Sequence, residues 1–194
     1  MSIFRKWCVV RNAGANKFFV MVFAILALSP INWASFAAGS GDHKHHKATD
    51  IGEPGKKSEV SRKIEITMFD NYFQPPFLRI KEGETVHFVI TNSGELVHEF
   101  NIATREMHKA HIPEMQAMIE HGVILVDKID WDAAKSMQKK IGHGMHDEPN
   151  SVLLEPGEKA ELLWKFPRNT KLEFACNVPG HYDAGMVGKI KLGY

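Results

Sequence analysis

The stretch Cys176-Asn-Val-Pro-Gly-His181-Tyr-Asp-Ala-Gly-Met186 constrains this chain more than any other. It sets a thiol, an imidazole and a thioether at C-x4-H-x4-M spacing. Leu172, Phe174 and Cys176 share one face of the segment before it, and a further strand pattern runs from Val187 to Leu192. Alternation with period two marks half-buried strands. The three side chains therefore sit on the loop that joins the last two strands.

The same rhythm recurs upstream. Ile64, Ile66 and Met68 alternate with Lys63, Glu65 and Thr67. A turn over Tyr72 to Pro76 precedes a short strand with Leu78 and Ile80. Val86, Phe88 and Ile90 form a third, closed by the turn residues Asn92-Ser93-Gly94. His87 falls on its polar face and reads as solvated. Val152 and Leu154 lead into the turn Pro156-Gly157-Glu158, and Leu162, Trp164 and Phe166 share the face of another strand. Seven or eight short strands predict an all-β fold, an antiparallel Greek-key sandwich or barrel.

Between Ile102 and residue 150 the strand rhythm stops, which predicts a partly helical insertion over 101–150. One helix is expected from Pro113, a favoured first helical position, to Gly122. A second has Asp130 as its N-cap and Gly142 beyond its end, with Trp131, Ala134, Met137 and Ile141 along one face.

The N-terminal segment reads as an address. Residues 1–17 carry Arg5, Lys6, Arg11 and Lys17 without an acid, an apolar run spans Phe18 to Leu28, and small residues follow at 34–38. This pattern predicts a secretory signal over 1–37 and a periplasmic protein. The competing reading is a membrane anchor. Eleven apolar residues fall well short of the roughly 20 that span a bilayer, so no stable membrane insertion is expected. Cleavage removes four basic residues and no acid, taking the formal charge from +1 to −3. That balance offers no footprint for nucleic acid. Cleavage also removes Cys8, so Cys176 has no internal disulfide partner and is either buried or metal-bound. Residues 38–59 have almost no apolar content and read as a flexible tail carrying His43, His45 and His46. Residues 60–194 form the domain.

At one pole of a sandwich, His98 can meet the Cys176–Met186 loop. Together these supply two imidazoles, a thiolate and a weak axial thioether, the donor set of a type 1 copper site. Zinc is the competing metal, but Met is a poor zinc ligand. On these motifs the segment 60–194 resembles the cupredoxins, among them azurin, plastocyanin, rusticyanin and auracyanin. Phe73-Gln-Pro-Pro, Gly83-Glu-Thr-Val86, the Asn92–His98 loop and Pro156-Gly157-Glu158 carry the likeness beside the ligand loop, whose spacing is that of rusticyanin and auracyanin. The resemblance implies one copper ion held by His98, Cys176, His181 and Met186. It also implies a redox partner protein docking near His181, where Pro179, Ala184 and Gly185 surround the imidazole. Several family members place Asn directly after the first ligand histidine, tying the two ligand loops together. This chain has Glu99 there, and a carboxylate cannot donate that hydrogen bond.

The insertion holds five of the seven methionines that follow residue 37. Met107, His108, His111, Met115 and Met118 are candidates for further copper, as are the three tail histidines. Core filling is the bland alternative for the methionines. The His-bearing tail and the Met-rich insertion resemble periplasmic copper-tolerance cupredoxins, so copper handling is the expected function. The alternative is a soluble electron shuttle of a respiratory or photosynthetic chain, which needs one site and a docking face. No nucleophile triad, phosphate loop or paired-carboxylate signature stands out, so a monomeric non-enzyme is expected.

Overall fold

The structure, a computed structural model, describes residues 51–142 and 146–193. The predicted signal, the tail histidines, and His143 and Met145 lie outside the described residues. Among the described residues, no helix is long and apolar enough to cross a membrane.

Among the described residues, ten strands form two five-stranded sheets. In chain order they are β1 (Glu53–Pro54), β2 (Val60–Phe69), β3 (Tyr72–Gln74), β4 (Phe77–Ile80), β5 (Thr85–Asn92), β6 (His98–Ala103), β7 (Ser151–Leu154), β8 (Lys159–Lys165), β9 (Glu173–Ala175) and β10 (Val187–Leu192). One sheet runs β1-β8-β5-β2-β3 and the other β4-β10-β9-β6-β7. The expected sandwich is present, but its sheets are mixed rather than purely antiparallel. β2 pairs with β5 in parallel, as does β4 with β10. The chain leaves β2, contributes β4 to the opposite sheet and returns as β5. It therefore re-enters beside β2 in the same direction, as a crossover connection requires.

The period-two patterns place the core correctly. Val86, Phe88 and Ile90 on β5 are fully buried, as is Trp164 on β8. Between the sheets Phe73, Phe88, Phe100 and Phe174 pack together, the Phe73–Phe174 pair edge-on at 5.1 Å. Tyr72–Gln74, expected as a turn, is a strand paired with β2. Burial of Phe73 against the opposite sheet favours the extended form.

Residues 51–59, assigned from composition to the flexible tail, belong to the domain. Ile51 is buried, and its carbonyl accepts the indole Nε1–H of Trp164 at 3.0 Å. Glu53 and Pro54 pair with β8. One apolar side chain and one buried indole suffice to dock a polar segment whose composition reads as disorder.

The insertion carries two helices, α1 (Arg105–Glu120) and α2 (Trp131–Ile141). α1 starts eight residues before the predicted Pro113. Thr104 is the true cap, its Oγ1 accepting from Met107 N, and Pro113 lies inside the helix. Burial of His108, Met115 and Met118 on one face outweighs the lost proline hydrogen bond. α2 is bounded as expected. Asp130 accepts from Asp132 N and Ala133 N, and Gly142 takes the left-handed conformation at φ 79°. Ala134 and Met137 are buried, whereas Trp131 and Ile141, expected on that face, are about half exposed.

Candidate metal centre

β6 and β9 are antiparallel neighbours, with Asn101 opposite Ala175. That register brings the start of β6 alongside the residues just past β9. His98 opens β6, and Cys176 follows β9 directly. The loop beyond Cys176 is closed by its own backbone. His181 N–H donates to Val178 O, Met186 N–H to His181 O, and Cys176 N–H to Met186 O. Gly180 and Gly185 take positive φ at 90° and 96°, turning the loop back so that Met186 returns beside Cys176.

The side chains converge as this backbone dictates. His98 Nδ1 lies 3.2 Å from His181 Nδ1. Cys176 Sγ lies 3.3 Å from His181 Nδ1 and 3.9 Å from His98 Nδ1. Metal bonds of about 2.0–2.3 Å to nitrogen and sulfur put three donors of a trigonal site roughly 3.5 Å apart, so the triangle fits one ion. Met186 is fully buried, and its carbonyl accepts from Cys176 N–H.

The surroundings prepare these groups. His98 Nε2 meets Asp70 Oδ1 at 2.8 Å, which leaves Nδ1 directed at the site. Asp70 also accepts from Glu95 N and Leu96 N, joining the β2–β3 turn to the β5–β6 loop. Gly94 permits this approach, because a Cβ there would lie 2.9 Å from His98 Nε2. Burial holds both imidazoles below the ordinary histidine value, against the opposing pull of Asp70. The neutral imidazole, the form that can bind a metal, is thereby favoured. Burial pushes the Cys176 thiol up to about 12, so a metal must displace its proton. The Glu99 backbone N–H, 3.3 Å from Sγ, favours the thiolate.

Glu99 supplies the tie between the two ligand loops that its replacement of asparagine put in question. Its fully buried carboxylate accepts, at Oε2, from Asn177 N at 3.0 Å and Asn177 Nδ2 at 2.8 Å. The bond between the loops is kept with donor and acceptor exchanged. At Oε1 the carboxylate takes hydrogen bonds from Ser151 Oγ, Asn101 Nδ2 and His146 Nε2. Burial raises the Glu99 carboxyl, and the His111 and His146 imidazoles overcome it, holding the group well below the carboxylate range.

Residues 58–193 match the model of the copper binding proteins of the plastocyanin/azurin family. The chain belongs to that family. This cupredoxin is 45% identical over 150 residues to the copper-resistant cuproprotein CopI of Pseudomonas aeruginosa, covering 72% of this chain and 81% of the relative. It is 34% identical over 170 residues to the protein of the same name from Rubrivivax gelatinosus, covering 87% of this chain and 89% of that one. Auracyanin B shares the fold, with a TM-score of 0.52 at 17% identity over 75% of this chain and 99% of that one. Copper is the cofactor of this family, and the His98–Cys176–His181 cluster fits it.

The candidates for further copper divide. Met115 and Met118 are fully buried core residues, and Met107 packs against the same core. His108 is buried with Nδ1 on Asn177 Oδ1, supporting the residue that Glu99 holds. His111 alone of these joins a cluster of metal-ligating side chains, with Glu99 and His146. Asp70 was not singled out as functional from the sequence. Its partners His98, Glu95 and Leu96 are distant along the chain, and only the turn signal after Asn92 marked the loop that Asp70 grips.

Proposed function

We propose that this cupredoxin is a periplasmic copper-handling protein that holds one type 1 copper ion through His98, Cys176, His181 and Met186. The reading is carried by the 45% identity to a protein named for copper resistance. Bound at the site, copper supplies one-electron exchange between Cu(I) and Cu(II). The protein's part is to keep the donors in place. Asp70 orients His98, the Glu99 amide and carboxylate hold Cys176 Sγ and Asn177, and the backbone turn at Gly185 returns Met186 to the site. Donors set in advance by packing and hydrogen bonds lower the rearrangement that accompanies electron transfer. The role is one of binding and redox exchange, not of catalysis.

A soluble electron shuttle is the second reading, favoured by the surface beside His181. Leu96, Leu125, Val126 and Val178 line an apolar groove that reaches this imidazole, and Val126 is largely exposed. Such a patch suits the brief docking of a redox partner protein. Deletion of the gene in its host separates the two readings. Copper handling predicts poor growth on raised copper, restored by the wild-type protein and not by Cys176→Ser. Normal copper tolerance with slowed respiration would overturn it in favour of the shuttle. The purified Cys176→Ser protein should also lack intense visible absorption when titrated with Cu(II), because thiolate-to-copper charge transfer is gone. A coloured variant would refute the ligand assignment.

A further inference from the structure

We propose that Glu99, His111 and His146 form a second metal site, for a divalent transition-metal ion, behind the type 1 centre. The two imidazoles come from separate parts of the insertion, α1 and the segment before β7, and aim at one oxygen. His146 Nε2 lies 2.8 Å and His111 Nε2 3.4 Å from Glu99 Oε1. The rings are 5.5 Å apart and tilted by 55°, converging rather than stacked. Tetrahedral coordination with bonds of about 2.0–2.2 Å separates neighbouring donors by roughly 3.4 Å. The His111 spacing already has this value, and the His146 spacing needs to open by a few tenths of an ångström.

Unsatisfied groups point the same way. His111 Nε2 is buried and makes no hydrogen bond, although it faces Glu99. Glu99 Oε1 already accepts from Ser151, Asn101 and His146, so the oxygen has little directional capacity left for a further N–H donor from His111. Buried polar atoms are rarely left unpaired, and an ion between the two imidazoles and the carboxylate would use His111 Nε2.

The outer nitrogen of His111 is held as in known metal sites, and that of His146 lies near a carboxylate without hydrogen-bonding to it. His111 Nδ1 lies 3.2 Å from Glu114 Oε2, and His146 Nδ1 lies 3.7 Å from Glu148 Oε2. A carboxylate on the far nitrogen of a metal-bound histidine fixes its tautomer and raises its basicity. Glu114 and Glu148 are each about one-third exposed and form, with His111, a second group of convergent ligand atoms. They make an acidic mouth through which a cation can enter. Two imidazoles with carboxylate oxygens suit Cu(II) or Zn(II). The donor set contains no sulfur, so it does not select Cu(I) as thiolates and thioethers do. The site also touches the first, because Glu99 Oε2 holds Asn177 beside Cys176.

The inference stands apart from the proposed function and is read by a different signal. The full chain and its His111→Gln/His146→Gln variant are titrated with Cu(II), following bound copper per chain, visible colour and electron paramagnetic resonance together. The type 1 colour reports both folding and the first site. The wild type should bind one equivalent more than the variant, and that equivalent should give an axial resonance without intense colour. Crystals of the wild-type protein grown with Zn(II) should show anomalous density between His111 Nε2, His146 Nε2 and Glu99 Oε1. Equal copper uptake by a coloured variant, or no density at that place in the wild type, would overturn the proposal. Should the variant not fold, the anomalous map decides alone.

Discussion

Glu99 stands where several cupredoxins carry asparagine, and its carboxylate reverses the hydrogen bonds that join the two ligand loops. A buried carboxylate is costly unless paired and hydrogen-bonded. Here it gathers Asn177, Asn101, Ser151 and two histidines, so one altered residue draws in a network. Asp70 works on the opposite flank by holding His98 Nε2. Removing such a partner lowers metal affinity by about 10–100-fold in comparable sites. Asp70→Ala should therefore lose copper to a competing chelator at a correspondingly lower chelator concentration, while its secondary structure by circular dichroism stays that of the wild type. Unchanged affinity would show that packing alone orients His98. The candidate donors Cys176, His181 and Met186 stood out in the sequence because their types and spacing lie within one short segment, and the structure brings His98 to Cys176 and His181. Asp70 did not stand out, because nothing local ties a turn after β2 to a histidine 28 residues later.

At the scale of elements, the β9–loop–β10 unit carries three of the four proposed ligands. Its position depends on close packing between its strands. Gly188 lies opposite Phe174 across the β9–β10 pair, and a Cβ there would collide with the Phe174 ring. β10 is hydrogen-bonded on both sides, to β4 and β9, and has little freedom to withdraw. Gly188→Ala should cost about 1–3 kcal/mol, the usual range for overpacking, seen as a lower denaturation midpoint of the copper-free protein. A midpoint equal to the wild type would mean that the ring can rotate aside. The strands were readable from alternation, and α2 from its cap and terminal glycine. α1 was misplaced because Pro113 carries the strongest local start signal, whereas the decisive force is burial of Met115 and Met118 against the core.

At the scale of the whole molecule, a charge pair between Arg62 and Glu84 ties β2 to the turn before β5. Glu84, before β5, accepts from Ser61 Oγ, Arg62 Nε and Lys81 N, and its side chain is only 7% exposed. Burial raises its pKa, but the Lys81 amide, Arg62 and Ser61 outweigh it, so the carboxyl is held below its ordinary 4.5. The folded state thus favours the anion. Its contribution to stability is present above pH 4.5 and is lost as pH falls through the lowered value. Glu84→Ala should cost about 1.5–3 kcal/mol at pH 7, the range for hydrogen bonds to a charged group. The gap from the wild type should narrow as the pH is taken below 4.5. A gap independent of pH would show that Glu84 acts through packing. Taken alone, the sequence determined the strand-rich class, the family and the candidate ligand loop, because periodicity and motif spacing are local properties of the chain. Only the tertiary structure decided the parallel pairings, the docking of residues 51–59, the role of Glu99 and the meeting of His111 with His146. Each of those depends on which distant segments share a surface, and burial against partners far along the chain sets that choice.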